Sequence, residues 1–205
     1  MDEIRVFDFS RENREFAPHI AEGENSRRVE GYAIVFNQRS RVLYDKEKKK
    51  FFVEVIEPRA ITKELLDSCD IKFLFNHDNN HMLGRSTFGY GSLSYEIDDY
   101  GVKFSIELPN TSDGNDVLEL IRRGDIFGCS FAFKYDKDGV VDVKKNGENL
   151  RTIIKFASIH DFSIVVDPAY WGTFVSSRAF VEPKEEGEKA FPASLEAELE
   201  NLKNI

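Results

Sequence analysis

The feature that most constrains the fold is an apolar/polar alternation with a period of two, recurring in short runs separated by turns. A strand sends successive side chains to opposite faces, so each run fills one side of a sheet and leaves the other for solvent or a second layer. The runs are Val29 to Phe36, Phe51 to Ile56, Ile71 to Phe75, Ser92 to Ile97, Val102 to Leu108, Ile126 to Tyr135 and Arg151 to Val166. Strands of this number and spacing predict a mainly β domain with flanking helices, its sheet a closed or nearly closed β-barrel.

Two helical stretches interrupt the strands. Pro58 can open the first, where its missing N–H is no loss, and Ile61, Leu65 and Leu66 then share one face. The second has Asp113 as its expected N-cap, Asp116 near the positive helix end, Val117, Leu120 and Ile121 as its apolar stripe, and Gly124 as its stop.

The domain is expected over residues 29–180. Before it lies an extension, 1–28, mixing arginines with acidic residues and reading as a strand or two and a turn. After it come an acidic linker, 181–191, punctuated by Pro183 and Gly187, and a short amphipathic helix, 192–205. That helix carries Leu195, Leu199 and Leu202 on one face and is too short to stand without a partner surface.

Composition narrows the function classes. The 18 phenylalanines supply a large core, and a net charge of −9 disfavours nonspecific binding to nucleic acid or an anionic membrane, which reward Lys and Arg. No apolar run approaches the roughly 18 residues needed to span a bilayer. The opening Met1-Asp2-Glu3 lacks the basic-then-apolar order of a signal peptide, so the expectation is a protein that works where it is made. Cys69 and Cys129 are too few for a disulfide framework, and Cys129 reads as a small core residue. No metal-ligand spacing and no phosphate-cradling glycine loop occurs, so neither metal nor cofactor is expected.

Two places could carry chemistry. His77 ends the apolar run Ile71 to Phe75 where it meets the polar stretch Asn76 to His81. A strand end can hold an imidazole rigidly with one nitrogen accessible, as general-base catalysis needs; the alternative is an ordinary turn histidine. In Gly128-Cys129-Ser130-Phe131-Ala132-Phe133, alternation sends Cys129, Phe131 and Phe133 to the core with Phe127. Gly128, Ser130 and Ala132 then share the other face, where small neighbours leave the hydroxyl open to a substrate carbonyl. The alternative is a small-residue face covered by a neighbouring element.

Longer pieces, taken in order, carry a resemblance. Gly31-Tyr32-Ala33-Ile34-Val35-Phe36-Asn37, Glu54 to Ala60, Asn76-His77-Asp78 with Leu83-Gly84-Arg85, Asp116 to Gly124, Gly128 to Phe133, and Asp161 to Val165 with Pro168-Ala169 resemble the prohead proteases of tailed bacteriophages. Arg59, Cys129, Ala132 and Asp161 depart from that family's usual residues without removing a nucleophile or a base.

The resemblance implies a fold related to the herpesvirus assemblins, a β-barrel ringed by helices. It implies a serine endopeptidase with Ser130 as nucleophile, His77 as general base and Asp161 as third member; His160, beside Asp161, is the competitor that an assemblin pattern would suggest. Arg151 and Arg85, or backbone N–H groups near Ser130, are the oxyanion candidates. The substrate implied is the scaffolding part of the major capsid protein, and the enzyme itself, inside the procapsid assembling in the bacterial cytoplasm. Portal and other procapsid proteins and a second copy of the chain are further partners to consider. A catalytically inactive assembly component is the competing reading, for which the tail helix would be the contact; a small-ligand-binding barrel is a third.

Overall fold

The computed structural model describes residues 26–166 except 47, together with Pro168 and the backbone of 19–20 and 177–179. The linker and tail helix expected over 181–205 lie outside the described residues, as does most of the N-terminal extension.

Numbered along the chain, the strands begin with β1 (His19–Ile20), β2 (Arg28–Val35), β3 (Leu43–Asp45) and β4 (Lys50–Ile56). Next come β5 (Asp70–Phe75), β6 (Asp78–Thr87), β7 (Tyr90–Gly91), β8 (Leu93–Ile97) and β9 (Gly101–Glu107). The last are β10 (Gly128–Lys134), β11 (Val140–Lys145), β12 (Glu148–Ile153), β13 (Ser158–Val165) and β14 (Ser177–Ala179). Helices α1 (Lys63–Asp67) and α2 (Ser112–Arg123) complete the framework, with single 3₁₀ turns at Pro58–Ala60 and Lys137–Gly139. No helix among the described residues is long and apolar enough to cross a membrane.

The mainly β class with flanking helices is as expected, but the closed or nearly closed barrel is not found. The strands form three open ladders in the orders β1-β2-β9-β8, β14-β10-β13-β5-β6-β7 and β11-β12-β4-β3. Alternation reports that one face of a strand is buried; it cannot say whether a closed sheet or a second sheet covers it. Here the sheets cover one another. Phe73 of β5 and Phe104 of β9 meet at 4.9 Å between ring centroids, while Phe131 and Phe133 of β10 pack on Phe156 at 5.8 and 4.8 Å. Phe73, Phe104, Phe131 and Phe162 are fully buried.

Several expected boundaries shift. The run Arg151 to Val166 is not one strand: it breaks after Ile153, Phe156 turns into the core, and β12 and β13 join different sheets. Pro58 opens only a 3₁₀ turn, because Ile61 is extended and Thr62 caps a separate helix α1, its hydroxyl accepting from the Leu65 N–H at 3.3 Å. In α2 the cap is Thr111, whose hydroxyl accepts from the Gly114 N–H at 3.2 Å; Asp113 sits inside the first turn. The Gly124 stop is as read, left-handed with φ 76°.

Strand β6 is the largest element that the pattern missed. Its residues are mostly polar and, apart from Leu83 and Ser86, exposed or half-buried, so no alternation announces it. Its backbone pairs with β5 all the same, from Asp70 opposite Thr87 to Phe75 opposite Asp78.

Candidate active site

Pairing between β10 and β13 sets the site. They run antiparallel with Ser130 opposite Ser163 and Ala132 opposite Asp161. Partners across a ladder point to the same face, so Ser130, Ala132, Asp161 and Ser163 share one side of the sheet. Cys129, Phe131, Phe133, Phe162 and Ile164 go to the other side, into the core.

Strand β5 lies parallel on the far side of β13, with Asp161 opposite Lys72 and Ile164 opposite Phe75. The chain then reverses through Asn76 and His77 into β6, and both residues have positive φ, 53° and 59°. Two central residues with positive φ are the mark of a type I′ hairpin turn, which favours Asn first and Gly second. Asn76 fits, and it is tied to β13: its N–H donates to the Ile164 carbonyl at 2.9 Å and its side-chain oxygen accepts from the Val166 N–H at 3.1 Å. His77 occupies the position that glycine would fill with less strain. That backbone cost is of the kind stored at functional sites, and here it holds the imidazole over the small-residue face.

The imidazole bridges the two neighbouring strands. His77 Nδ1 lies 2.7 Å from Asp161 Oδ1, and His77 Nε2 lies 2.5 Å from Ser130 Oγ. An ionised carboxylate can only accept, so Nδ1 carries the proton and donates to Asp161, leaving the Nε2 lone pair to accept from the Ser130 hydroxyl. The side chains of His77 and Asp161 are 17% and 10% exposed. Such an arrangement can take a proton from Ser130 and return it, with a carboxylate to support the imidazolium.

Ser130 itself is fully buried and Ala132 nearly so, which corrects the expectation of an open face. The His77 turn lies over Ser130, β14 runs along the free edge of β10 beside Phe131 to Phe133, and Pro168 packs on Gly128. A Cβ at Gly128 would come within 2.9 Å of the Val165 carbonyl oxygen and 3.0 Å of the Pro168 ring, so only glycine fits beneath that cover.

The family model of the caudovirus prohead serine proteases covers residues 15–186. The chain belongs to this family. Its members are serine proteases of the phage prohead, so the family places this chain in that class. No curated protein and no solved structure matches it.

Of the family-implied residues, the fold brings together Ser130, His77 and Asp161. His160, on the alternate face of β13, has its Nε2 3.2 Å from Ser158 Oγ; burial, then the Lys134 charge, hold its pKa below the usual imidazole value. The two arginines are committed to carboxylates of other elements. Arg151, 5% exposed, bonds Asp142 and Asp45 at 2.9 Å each and lies over the Phe52 ring at 4.3 Å. Arg85 forms a two-pronged pair with Asp70. His81, at the end of the polar stretch that follows Phe75, stands in β6 with Nδ1 3.1 Å from Asp113 Oδ1, and no metal-holding cluster occurs among the described residues.

One polar residue of the site went unread. Ser163 is buried, its hydroxyl donating to Asp161 Oδ1 at 2.7 Å with Oγ 3.2 Å from His77 Nδ1. The signal was present: two residues beyond Asp161 in a strand is the same face.

Proposed function

We propose that this chain is an active serine endopeptidase that matures the phage procapsid by cutting the scaffolding part of the major capsid protein, and itself. The observation that carries the reading is the unbroken chain of contacts from Ser130 through His77 to Asp161. Family membership supports the protease class and the prohead setting, and with it the procapsid inside the host cell as the place of action.

The reaction is acyl transfer. Ser130 Oγ attacks the scissile carbonyl while His77 Nε2 takes the hydroxyl proton, and the carbonyl π electrons move to oxygen. As the tetrahedral species collapses, the C–N bond breaks and Nε2 returns the proton to the leaving amine. Water repeats the sequence: His77 takes its proton, hydroxide adds to the acyl carbon, and Ser130 leaves with the proton restored. Asp161 fixes the imidazole tautomer and stabilises the imidazolium throughout.

Because Ser130 is fully buried, a carbonyl reaches it only after its cover shifts. Labelling with a serine-reactive fluorophosphonate tests both access and reactivity. Wild type is expected to label and to cut a capsid precursor carrying its scaffolding segment, and Ser130→Ala to do neither. Equal labelling of the two proteins, or a folded wild type that cuts no capsid precursor, would overturn the reading in favour of an assembly component.

A further inference from the structure

We propose that Ser163 is a positioning residue for the His77–Asp161 pair, acting through the Asp161 carboxylate. This rests on the endopeptidase reading above for its kinetic consequence, though not for its geometry.

The torsion that turns a carboxylate about its last bond is broad and weakly staggered, so one contact to an imidazole leaves an aspartate free to rotate. In this site Asp161 Oδ1 accepts twice: from His77 Nδ1 at 2.7 Å and from the Ser163 hydroxyl at 2.7 Å. Two donors converging on one oxygen from different directions define where that oxygen sits. Ser163 has the means to do this because its own position is set by the sheet: it stands opposite Ser130 in the β10–β13 ladder and is 1% exposed, so bulk water does not compete for its hydroxyl.

The same geometry separates the roles of the two serines that face each other. Ser163 lies on the Nδ1 side of the imidazole, where the proton already resides, and its own proton is engaged by Asp161. That carboxylate is a weaker base than an imidazole. Ser130 lies at Nε2, whose lone pair is available. Ser163 therefore steers the base, and Ser130 uses it. One strand over, Lys72 stands opposite Asp161 in the ladder, and its ammonium is held by Asn79 Oδ1 at 2.8 Å.

The test is a double-mutant cycle on the full chain. Ser163→Ala removes one hydroxyl from a buried site without adding volume, and thermal unfolding checks that the fold is kept. In the wild-type background kcat for capsid-precursor cleavage is expected to fall roughly tenfold with KM within about twofold, as for loss of one hydrogen bond to a charged group. In an Asp161→Asn background the same change is expected to cost less than about twofold, since its route of action is already gone. Equal costs in both backgrounds would overturn the proposal, because a residue that only packs would act alike in each; so would an unchanged kcat in Ser163→Ala.

A second readout does not need activity. With ¹⁵N-labelled histidine, the proton on His77 Nδ1 is expected to give a downfield resonance in wild type and in Ser130→Ala, and to move or broaden in Ser163→Ala. An unchanged resonance would overturn the positioning role. If no variant cleaves or labels while the resonance responds to Ser163→Ala, the endopeptidase reading has failed and the positioning role stands.

Discussion

Two polar clusters, each built round a buried or nearly buried side chain, sit on different sheets of this molecule and are built to opposite ends. On the β11-β12-β4-β3 sheet, Arg151 is clamped by Asp142 and Asp45. On the six-stranded sheet, His77 links Asp161 to Ser130. In the first cluster every member carries a charge that its neighbours reinforce. The bond from Arg151 holds the Asp142 carboxyl well below the usual carboxylate range. Burial alone would lower the Arg151 pKa, but its bonds to Asp142 and Asp45 outweigh that and raise it. In the second cluster the central group both donates and accepts, and one of its partners is a neutral hydroxyl. Burial of polar groups therefore does not mark a reactive site by itself. A site is marked where a proton can move within the cluster and leave a nucleophile behind.

The contrast breaks most visibly at Ser130. With Ser130 as the proposed nucleophile, Ser130→Ala is expected to lower cleavage of a capsid precursor by about 10⁴–10⁶-fold while leaving the thermal midpoint nearly unchanged. Steady-state rates beside a melting curve check this; a folded mutant that keeps a tenth of the activity would place the nucleophile elsewhere.

Asp161 and His160 give the next largest effect, and they sharpen the comparison within one strand. Asp161→Asn is expected to reduce kcat by roughly 10²–10⁴-fold, as when a triad's orienting acid is lost. His160→Gln, altering a side chain that contacts Ser158, is expected to cost less than about fivefold. The reverse order of damage in purified protein would make His160 the third member.

At the other cluster the prediction is one of stability. Arg151→Gln removes the guanidinium from Asp142 and Asp45, which stay partly exposed, Asp142 with Lys48 still beside it, and is expected to cost about 1.5–3 kcal/mol by denaturant titration, with kcat of the folded fraction little altered. It also carries a pH signature. Asp142 binds its proton more weakly in the folded chain than in the unfolded one, so its stabilisation is complete above about pH 4 and is lost as the pH falls further. The gap between wild type and Arg151→Gln is therefore expected to narrow below about pH 4. A gap that stays constant on acidification would mean that the ion pairs contribute nothing and packing on Phe52 everything.

The smallest effect belongs to neither cluster and calibrates both. Gly124→Ala puts a side chain on the left-handed residue that ends α2, with no atom within 4 Å to obstruct it. It is expected to cost about 1 kcal/mol through backbone conformation alone, with no change in turnover. A larger loss would show that the helix end has a packing role.

Most of the strands and the stop of α2 could be read from the chain, because periodicity and helix stops are written in neighbouring residues. Cys129, Phe131 and Phe133 went to the core as alternation required. The turn that carries His77 was half legible. Asn76 is a good first residue for a tight hairpin, but a histidine in the second place disguised it, and the polar β6 that follows looked like a loop. Ser163 follows from Asp161 by the same alternation that placed Ser130; it lies in the piece Asp161 to Val165 that carries the resemblance, but the resemblance implies no role for it.

By itself, then, the sequence determined which side chains of most strands go to the core, where α2 stops, and, by resemblance, which serine and histidine to suspect. Only the tertiary structure decided what lies against those faces. It split one apolar run between two sheets, replaced a closed barrel by three open ladders, and gave Arg151 to Asp142 and Asp45. It also brought His77 to a serine 53 residues later and an aspartate 84 residues later. The physical reason is range: side-chain direction is set by the local backbone repeat, whereas register between distant strands is set by how whole faces fit together, which no window of neighbouring residues contains.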